Sequence, residues 1–563
     1  VRTIGFDLNA GGVILGNAAG LGVGTLLISS SGTSVSASTA LTATNQVIIS
    51  SGVTSLTLGL AGSSAMTLSG NISWQTLSGA ARTITVGGAT GSTINAQTLS
   101  GSIQMPSAGN QLIKQGIGTL VLSGSGGGMD LVGSQGVQVL AGILQVANAA
   151  SLGAQPTAVV ADNIVLNGGA LAITTNSLSL GNRGISLGSS GGAIDVASGL
   201  VVGVTSPLSG SGGFVKTGAG QLTLSAANTG TGPIAVGGGS LQFTKPSALY
   251  NASQASWTAA NLTVASGASL IFNVGGPADF STAQFTALYG ALSGSTSATG
   301  LMSGATLGVD TSNATSTVTI SDNLANPNSG ANAMGLVKLG AGTLSLSGTN
   351  TFTGTVTVLG GTLTPASSAA LPATISGVTV TAASGLVATY DLAGNNQTIA
   401  NATTAISLGG SSATSQPKLT GAGSTLSITG STGGAITYSA TNNPLGGVIT
   451  LAALDLGNAN RTITIGDSTS ALTDLTIAGG ISNGTLTLSG AGTLLVSGDI
   501  AAPSSPGTLF TSSATGLDTF TGAITSTVPQ TFAVSGVGGV LNLAGKLDMG
   551  SNSLTVSGSS AVR

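Results

Sequence analysis

Three lysines hold the same place in a recurring segment. LIKQGIGTLVLSG (112–124), FVKTGAGQLTLSA (214–226) and LVKLGAGTLSLSG (336–348) share the order apolar, Ile/Val, Lys, x, Gly, x, Gly, x, Leu, x, Leu, Ser. A row of amines invites reading as a cationic ligand stripe. Lys114, Lys216 and Lys338 are several coils apart in any repetitive fold, however, so they cannot converge on one small ligand. Each is expected at a turn, donating to coil carbonyls with its stem along apolar surface. The pairs Gly116/Gly118, Gly218/Gly220 and Gly340/Gly342 complete this structural motif, because a corner needs positive φ and close approach between coils.

Acid–base chemistry is thinly provided. All 14 acidic residues are Asp, and the chain has no Glu, His or Cys. The base and nucleophile inventory reduces to Asp, Lys, Tyr and Ser. Polysaccharide-degrading β-helices need two carboxylates roughly 5–10 Å apart, or a cation-assisted base. Asp130, Asp162, Asp195, Asp310, Asp391, Asp455 and the others never occur as DD or DxD. The nearest pairs, Asp467 with Asp474 and Asp455 with Arg461, read as turn caps. No catalytic residue, cofactor or metal site is assigned. A zinc set has no Cys or His to build on, GGAID (191–195) is one imperfect approach to a calcium β-roll repeat, and GKL (545–547) lacks the Ser/Thr of a phosphate loop. Thr83/Thr85, Thr317/Thr319 and Thr462/Thr464 are too scattered for an ice-binding rank and read as ordinary outward threonines.

The elements that would position these groups are strands. With 92 Gly and 4% charged residues among 563, the chain is short of surface helix formers, while Val, Ile, Leu and Thr favour half-buried strands. Hydrophobic residues make up 41% and alternate with Ser, Thr, Gly and Asn, which separates this composition from disorder. VILGN (13–17), GTLLIS (24–29), SLTLG (55–59), STLSITG (424–430) and TLTLSG (485–490) each read as a short strand and a turn. Each lysine unit has a matching tail: VQVLAGILQV (137–146), IAVGGGSLQF (234–243) and VTVLGGTLTP (356–365). A unit that cannot bury its own apolar face, repeated along a chain, predicts a solenoid with coils of about twenty residues. The expected fold is all-β: a parallel β-helix forming one continuous rod over 1–563. SGSGGGMDLVGSQG (123–136) is expected as a bulging turn. Residues 243–292 break the pattern and are expected to form an irregular or protruding insertion, with DFSTAQFTALYGAL (279–292) at helical spacing. Tyr250, Trp257, Phe285 and Tyr289 in it are candidates for a contact surface.

The lysine units and their VxVxxGGTL tails resemble the autotransporter-associated β-strand repeat of bacterial passenger domains and other giant surface proteins. The resemblance covers three short segments. It implies a right-handed parallel β-helix exported to the cell surface or beyond, without universal catalytic residues to carry over. The translocator barrel of a complete autotransporter is missing from this sequence.

Charge decides what else the chain can do. A net charge of −3 with 11 basic residues, scattered, offers no footprint for nucleic acid or an anionic membrane. Despite a mean hydropathy of +0.50, no apolar run approaches the roughly 20 residues of a spanning helix, and the C-terminal part has no aromatic girdle, so this chain is not expected to insert in a membrane. Its start, VRTIGF, reads as a mature or excised piece. Soluble domains usually keep apart through about 25% charged residues, and this chain lacks that protection. The expectation is a non-catalytic extracellular structural element that self-associates into a fibre, sheath or layer. The alternative is a monomeric passenger adhesin that binds glycans or other cell-surface proteins, and an enzyme is the remote third.

Overall fold

A computed structural model describes residues 4–75, 81–87, 95–105, 111–124, 130–131, 136–176, 179–400, 404–430, 433–536 and 538–563. The chain forms two compact units, Val1–Leu270 and Ile271–Arg563. Each is a parallel β-solenoid.

One coil of the first unit shows how the sequence makes the fold. Thr25–Ile28, Ser34–Ala37 and Leu41–Ala43 are three strands on three faces, and Val47–Ile49 then returns to pair in parallel with Thr25–Ile28, Leu26 against Val47. The turns that separate them end each strand after three or four residues, too soon for a hairpin sheet to form. Strand hydrogen bonding is thereby passed to the next coil, about 4.8 Å away. Period-two alternation sets the side chains: in Gln221–Leu224 the leucines are buried while Gln221 and Thr223 are half-buried. Residues in register on successive coils form ladders, such as Leu120, Leu144, Leu171 and Ile194, all 0% exposed. Each such side chain contributes about 1.5–3 kcal/mol relative to exposure.

The second unit follows the same rule. Leu336, Val356, Val378, Ile406 and Ile436 make one buried ladder, and Leu344, Leu363, Tyr390, Leu419 and Ile449 another. Phe510 stacks on Phe532 of the next coil, their ring centroids 5.0 Å apart.

The helical spacing noted in 279–292 corresponds to α1 (Thr282–Ser293) in the second unit. Ser281 caps it by accepting from Gln284 N, while the Gln284 side chain accepts from Ser281 N. Phe285, Leu288, Tyr289 and Leu292 form its buried face. In the first unit, 246–256 makes three single 3-10 turns. Tyr250, Asn251 and Ala252 are all left-handed there (φ 51, 48 and 63°), at about 1–2 kcal/mol each. The expected bulge at 123–136 falls mostly on residues outside those described. Among the described residues, no helix is long and apolar enough to cross a membrane.

Candidate functional site

The lysines are interior groups. Lys114, Lys216 and Lys338 are each 0% exposed. Each occupies a rung of an aliphatic ladder: Lys114 between Ile84 and Val139, Lys216 between Ile194 and Val236, Lys338 between Val309 and Val358. The ammonium ends at the corner, where three carbonyls converge on its three N–H bonds. Lys338 Nζ donates to Leu339 O and Gly340 O at 2.7 Å and to Gly360 O at 2.9 Å. Lys216 Nζ reaches Thr217 O, Gly218 O and Gly238 O at 2.6, 2.9 and 3.1 Å. Lys114 Nζ reaches Gln115 O, Gly116 O and Ala141 O at 2.9, 2.7 and 3.0 Å. Burial pushes the amine down to about 8 in Lys114 and Lys216 and to about 7 in Lys338, with Asp195 and Asp310 opposing in the latter two. Sealed in this way, the lysines present no cationic stripe to a ligand.

The glycines fit that corner. Gly218 has φ 73°, and a Cβ on it would meet Val196 O at 2.3 Å. Gly116 and Gly340 are likewise left-handed (φ 74 and 78°). A Cβ on Gly220 or Gly342 would meet the carbonyl of Ala197 or Thr311 at 2.2 or 2.7 Å. Gly118 donates its N–H to Val86 O of the preceding coil at 2.9 Å.

Two further groups of buried polar residues escaped the reading of the sequence. Asn228 accepts from Leu208 N at 2.8 Å and donates to Ala248 O at 2.6 Å. Asn350 repeats this with Leu324 N at 2.7 Å and Ala370 O at 2.6 Å, so each asparagine clasps the coil before and the coil after it. The signal was the Asn-Thr four residues past the second Leu of the unit, in LSAANTG and LSGTNTFTG. Arg82, Arg183 and Arg461 are each 1% exposed. Arg461 donates to Leu456 O, Ile428 O and Gly430 O at 3.0, 2.8 and 2.6 Å. In RTITV and RTITI, period-two alternation alone puts the arginine on the same face as the isoleucines.

The four aromatic residues expected as a contact surface are core residues, which corrects that expectation. Trp257 is 1% exposed, Phe285 0%, Tyr250 6% and Tyr289 8%. Their polar atoms are spent on the backbone: Tyr250 OH donates to Asn261 O at 2.8 Å, Tyr289 OH to Ala325 O at 2.8 Å, and Trp257 Nε1 to Leu249 O at 3.3 Å. Phe285 lies 6.4 Å from the Phe272 ring. A β-helix has few large interior volumes, and these rings fill those that its irregular segments create.

The aspartates mostly hold turns. Asp391 accepts from Ala393 N, Asp310 from Ser312 N, Asp455 from Gly457 N and Asp474 from both Ser468 N and Thr493 N. Asp195 accepts from Thr217 Oγ1 at 2.9 Å. Arg461 turns to carbonyls rather than to Asp455. Asp162 and Asp467 are exposed, and the side chain of Asp130 lies outside the described residues. Among the described residues no three His, Cys, Asp or Glu side chains gather to hold a metal.

What remains for recognition is the outside. In the second unit a groove of about 460 Å³ runs beside the corner where Asn458 and Asn483 sit one coil apart, both exposed and left-handed (φ 57 and 56°). Asn460, in register with Thr485, and the loop 502–507 form its sides. A second trough, about 560 Å³, lies on the first unit over Ile143, Ala170, Ala193, Val215 and Ala235.

Fold and corner together define a class: parallel β-solenoids built on a repeated corner with a buried lysine. The family described as the passenger-associated-transport-repeat matches this chain at 112–146, 214–243 and 336–364, the three lysine units with their tails. The chain carries the repeat of autotransporter passenger proteins. It is also similar to the adhesin BmaC autotransporter of Brucella suis biovar 1 (strain 1330), 34% identical over 164 residues, which is 29% of this chain and 4% of that protein. The chain thus spans a small fraction of this relative's length. No solved structure matches it. Passenger domains are secreted and displayed at the bacterial surface, and this chain is a protein of that location.

Proposed function

We infer that the chain is a non-catalytic passenger solenoid that acts as an adhesin, touching other surfaces through uncharged flanks. One observation carries this reading. Of the 11 Lys and Arg residues, six (Lys114, Lys216, Lys338, Arg82, Arg183 and Arg461) are spent inside the coils, which leaves few cations among the Ser, Thr, Asn and Gly of the outer faces. Such a surface carries hydrogen-bonding groups with little charge repulsion or steering. The similarity to a protein named as an adhesin supports the same reading. The test is adhesion of beads coated with the purified chain to a panel of cells and extracellular glycoproteins. Binding that survives 0.5–1 M salt is expected, on the order of conditions that screen exposed charges. Release of reducing sugar from polysaccharide would move the chain to the enzymes.

A second reading, self-association into a fibre or layer, draws on the trough of the first unit, whose lining is mostly Gly, Ala and larger apolar residues, with no charged side chain among the described residues. Electron microscopy and sedimentation of the purified chain separate the two: ordered filaments or lattices favour assembly, and monomers that adhere favour the adhesin.

A further inference from the structure

We propose that the groove beside Asn458 and Asn483 is a binding site for a neutral oligosaccharide. This rests on the adhesin reading and names the ligand class for one place on the surface. Among the described residues no Asp, Lys or Arg lines the groove; its polar groups are Asn458, Asn460, Asn483, Thr485, Ser504, Ser505 and Gln530. An acidic or sulfated chain finds no cation there, and a basic peptide no carboxylate. A neutral sugar offers hydroxyls that both donate and accept, and amide and hydroxyl side chains answer both.

Several of these groups are unused. The side chains of Asn458 and Asn483 make no hydrogen bond among the described residues, although the left-handed corner holds both at the groove's edge. Asn460 is committed: its Nδ2 donates to Thr487 Oγ1 at 3.0 Å and its Oδ1 accepts from Thr485 and Thr487 hydroxyls at 3.2 Å. It therefore stiffens one wall. Gln530 lines the groove and is 2% exposed. Its Nε2 donates to Ser505 O and Ser526 Oγ, both at 3.3 Å, which holds the 503–505 loop down. Its Oε1 is a buried acceptor with no partner among the described residues. A ligand hydroxyl that reached this acceptor would supply the missing donor. Pro503 and Pro506 add apolar faces for the C–H side of a ring. The volume, about 460 Å³, is in the range of small-ligand sites and has room for a short oligosaccharide. Among the described residues no aromatic lines the groove, so hydrogen bonds carry most of the affinity, which is expected at about 1 mM.

The experiment is saturation-transfer NMR of the full chain against neutral di- to tetrasaccharides of hexose, N-acetylhexosamine and deoxyhexose, with sulfated and sialylated counterparts as controls. Two variants go with it. Asn458→Gly with Asn483→Gly removes both amides and keeps the left-handed corner; Ser505→Trp fills the groove from an exposed position. The expected result is transfer to at least one neutral sugar, lost at least tenfold in each variant with unchanged circular dichroism. Transfer that persists in both variants, or that favours the acidic sugars, overturns the site. Beads that adhere to cells while no neutral sugar binds also overturn it and leave the adhesin reading standing; failure of both removes the two together.

Discussion

Lys338 Nζ lies 2.9 Å from Gly360 O, one coil further along the chain. With Leu339 O and Gly340 O it makes the ammonium a three-way plug for the corner, where Leu339 O also accepts from Thr311 N at 2.9 Å. Lys338→Met keeps the stem and the volume and leaves three carbonyls without that donor. A loss of roughly 2–4 kcal/mol is expected, read as a lower urea midpoint. A midpoint within error of the parent would show that water serves those carbonyls equally well.

Gly218 tests the backbone side of the same corner. Gly218→Ala combines a left-handed residue with a Cβ 2.3 Å from Val196 O, so the coils must separate locally. Destabilisation of more than about 2 kcal/mol is expected, beyond the cost of roughly 1 kcal/mol for φ alone. Gly203→Ala is the control, since nothing lies within 4 Å of its Cβ position. It should be neutral or raise the melting temperature slightly, and equal losses at both positions would refute the account.

Asn350→Ala removes the clasp between coils. It orphans Leu324 N and Ala370 O, both reached from a side chain that is 3% exposed. About 2 kcal/mol should be lost, and hydrogen exchange at the Leu324 amide should quicken. Exchange at parent rates would mean that the amide is held by something else.

Asp518 makes the stability of the second unit depend on pH. It stands in a ladder between Leu494 and Leu541, 1% exposed, with Ser512 Oγ 3.3 Å from Oδ2 and, among the described residues, no partner for Oδ1. Burial pushes its carboxyl up to about 7, Ser512 opposing. Because the folded state then holds a proton that the unfolded chain releases near its ordinary 3.8, this group's stabilisation is complete at low pH and is lost as pH rises to about 7. Asp518→Asn abolishes the ionisation penalty. Its gain over the parent should grow between about pH 4 and about pH 7 and then level, at on the order of 4 kcal/mol. Melting curves at four pH values are sufficient; a gain that does not change with pH defeats the assignment.

How much of this could be read from the primary structure varies by feature, and the reason is range. Period-two alternation and the thrice-written lysine unit are local patterns, and they were enough to predict a parallel solenoid of short strands and the helical spacing that became α1. Alternation also carried information that went unused: Phe214 and Lys216 lie in phase, as do Arg82 and Ile84, which already places those cations inside.

Other features depend on which coil lies against which, and that is set by coil lengths and insertions that no local period records. Only stacking shows that Lys338 finds Gly360, that Asn350 spans from Leu324 to Ala370, and that Asp518 falls between two leucines. The aromatics of 243–292 looked like a surface because they break the repeat; packing turned Tyr250, Trp257, Phe285 and Tyr289 inward, since rings that large are stabilised most where they leave water. The groove beside Asn458 and Asn483 is likewise a property of neighbouring coils, and no single strand of this chain contains it.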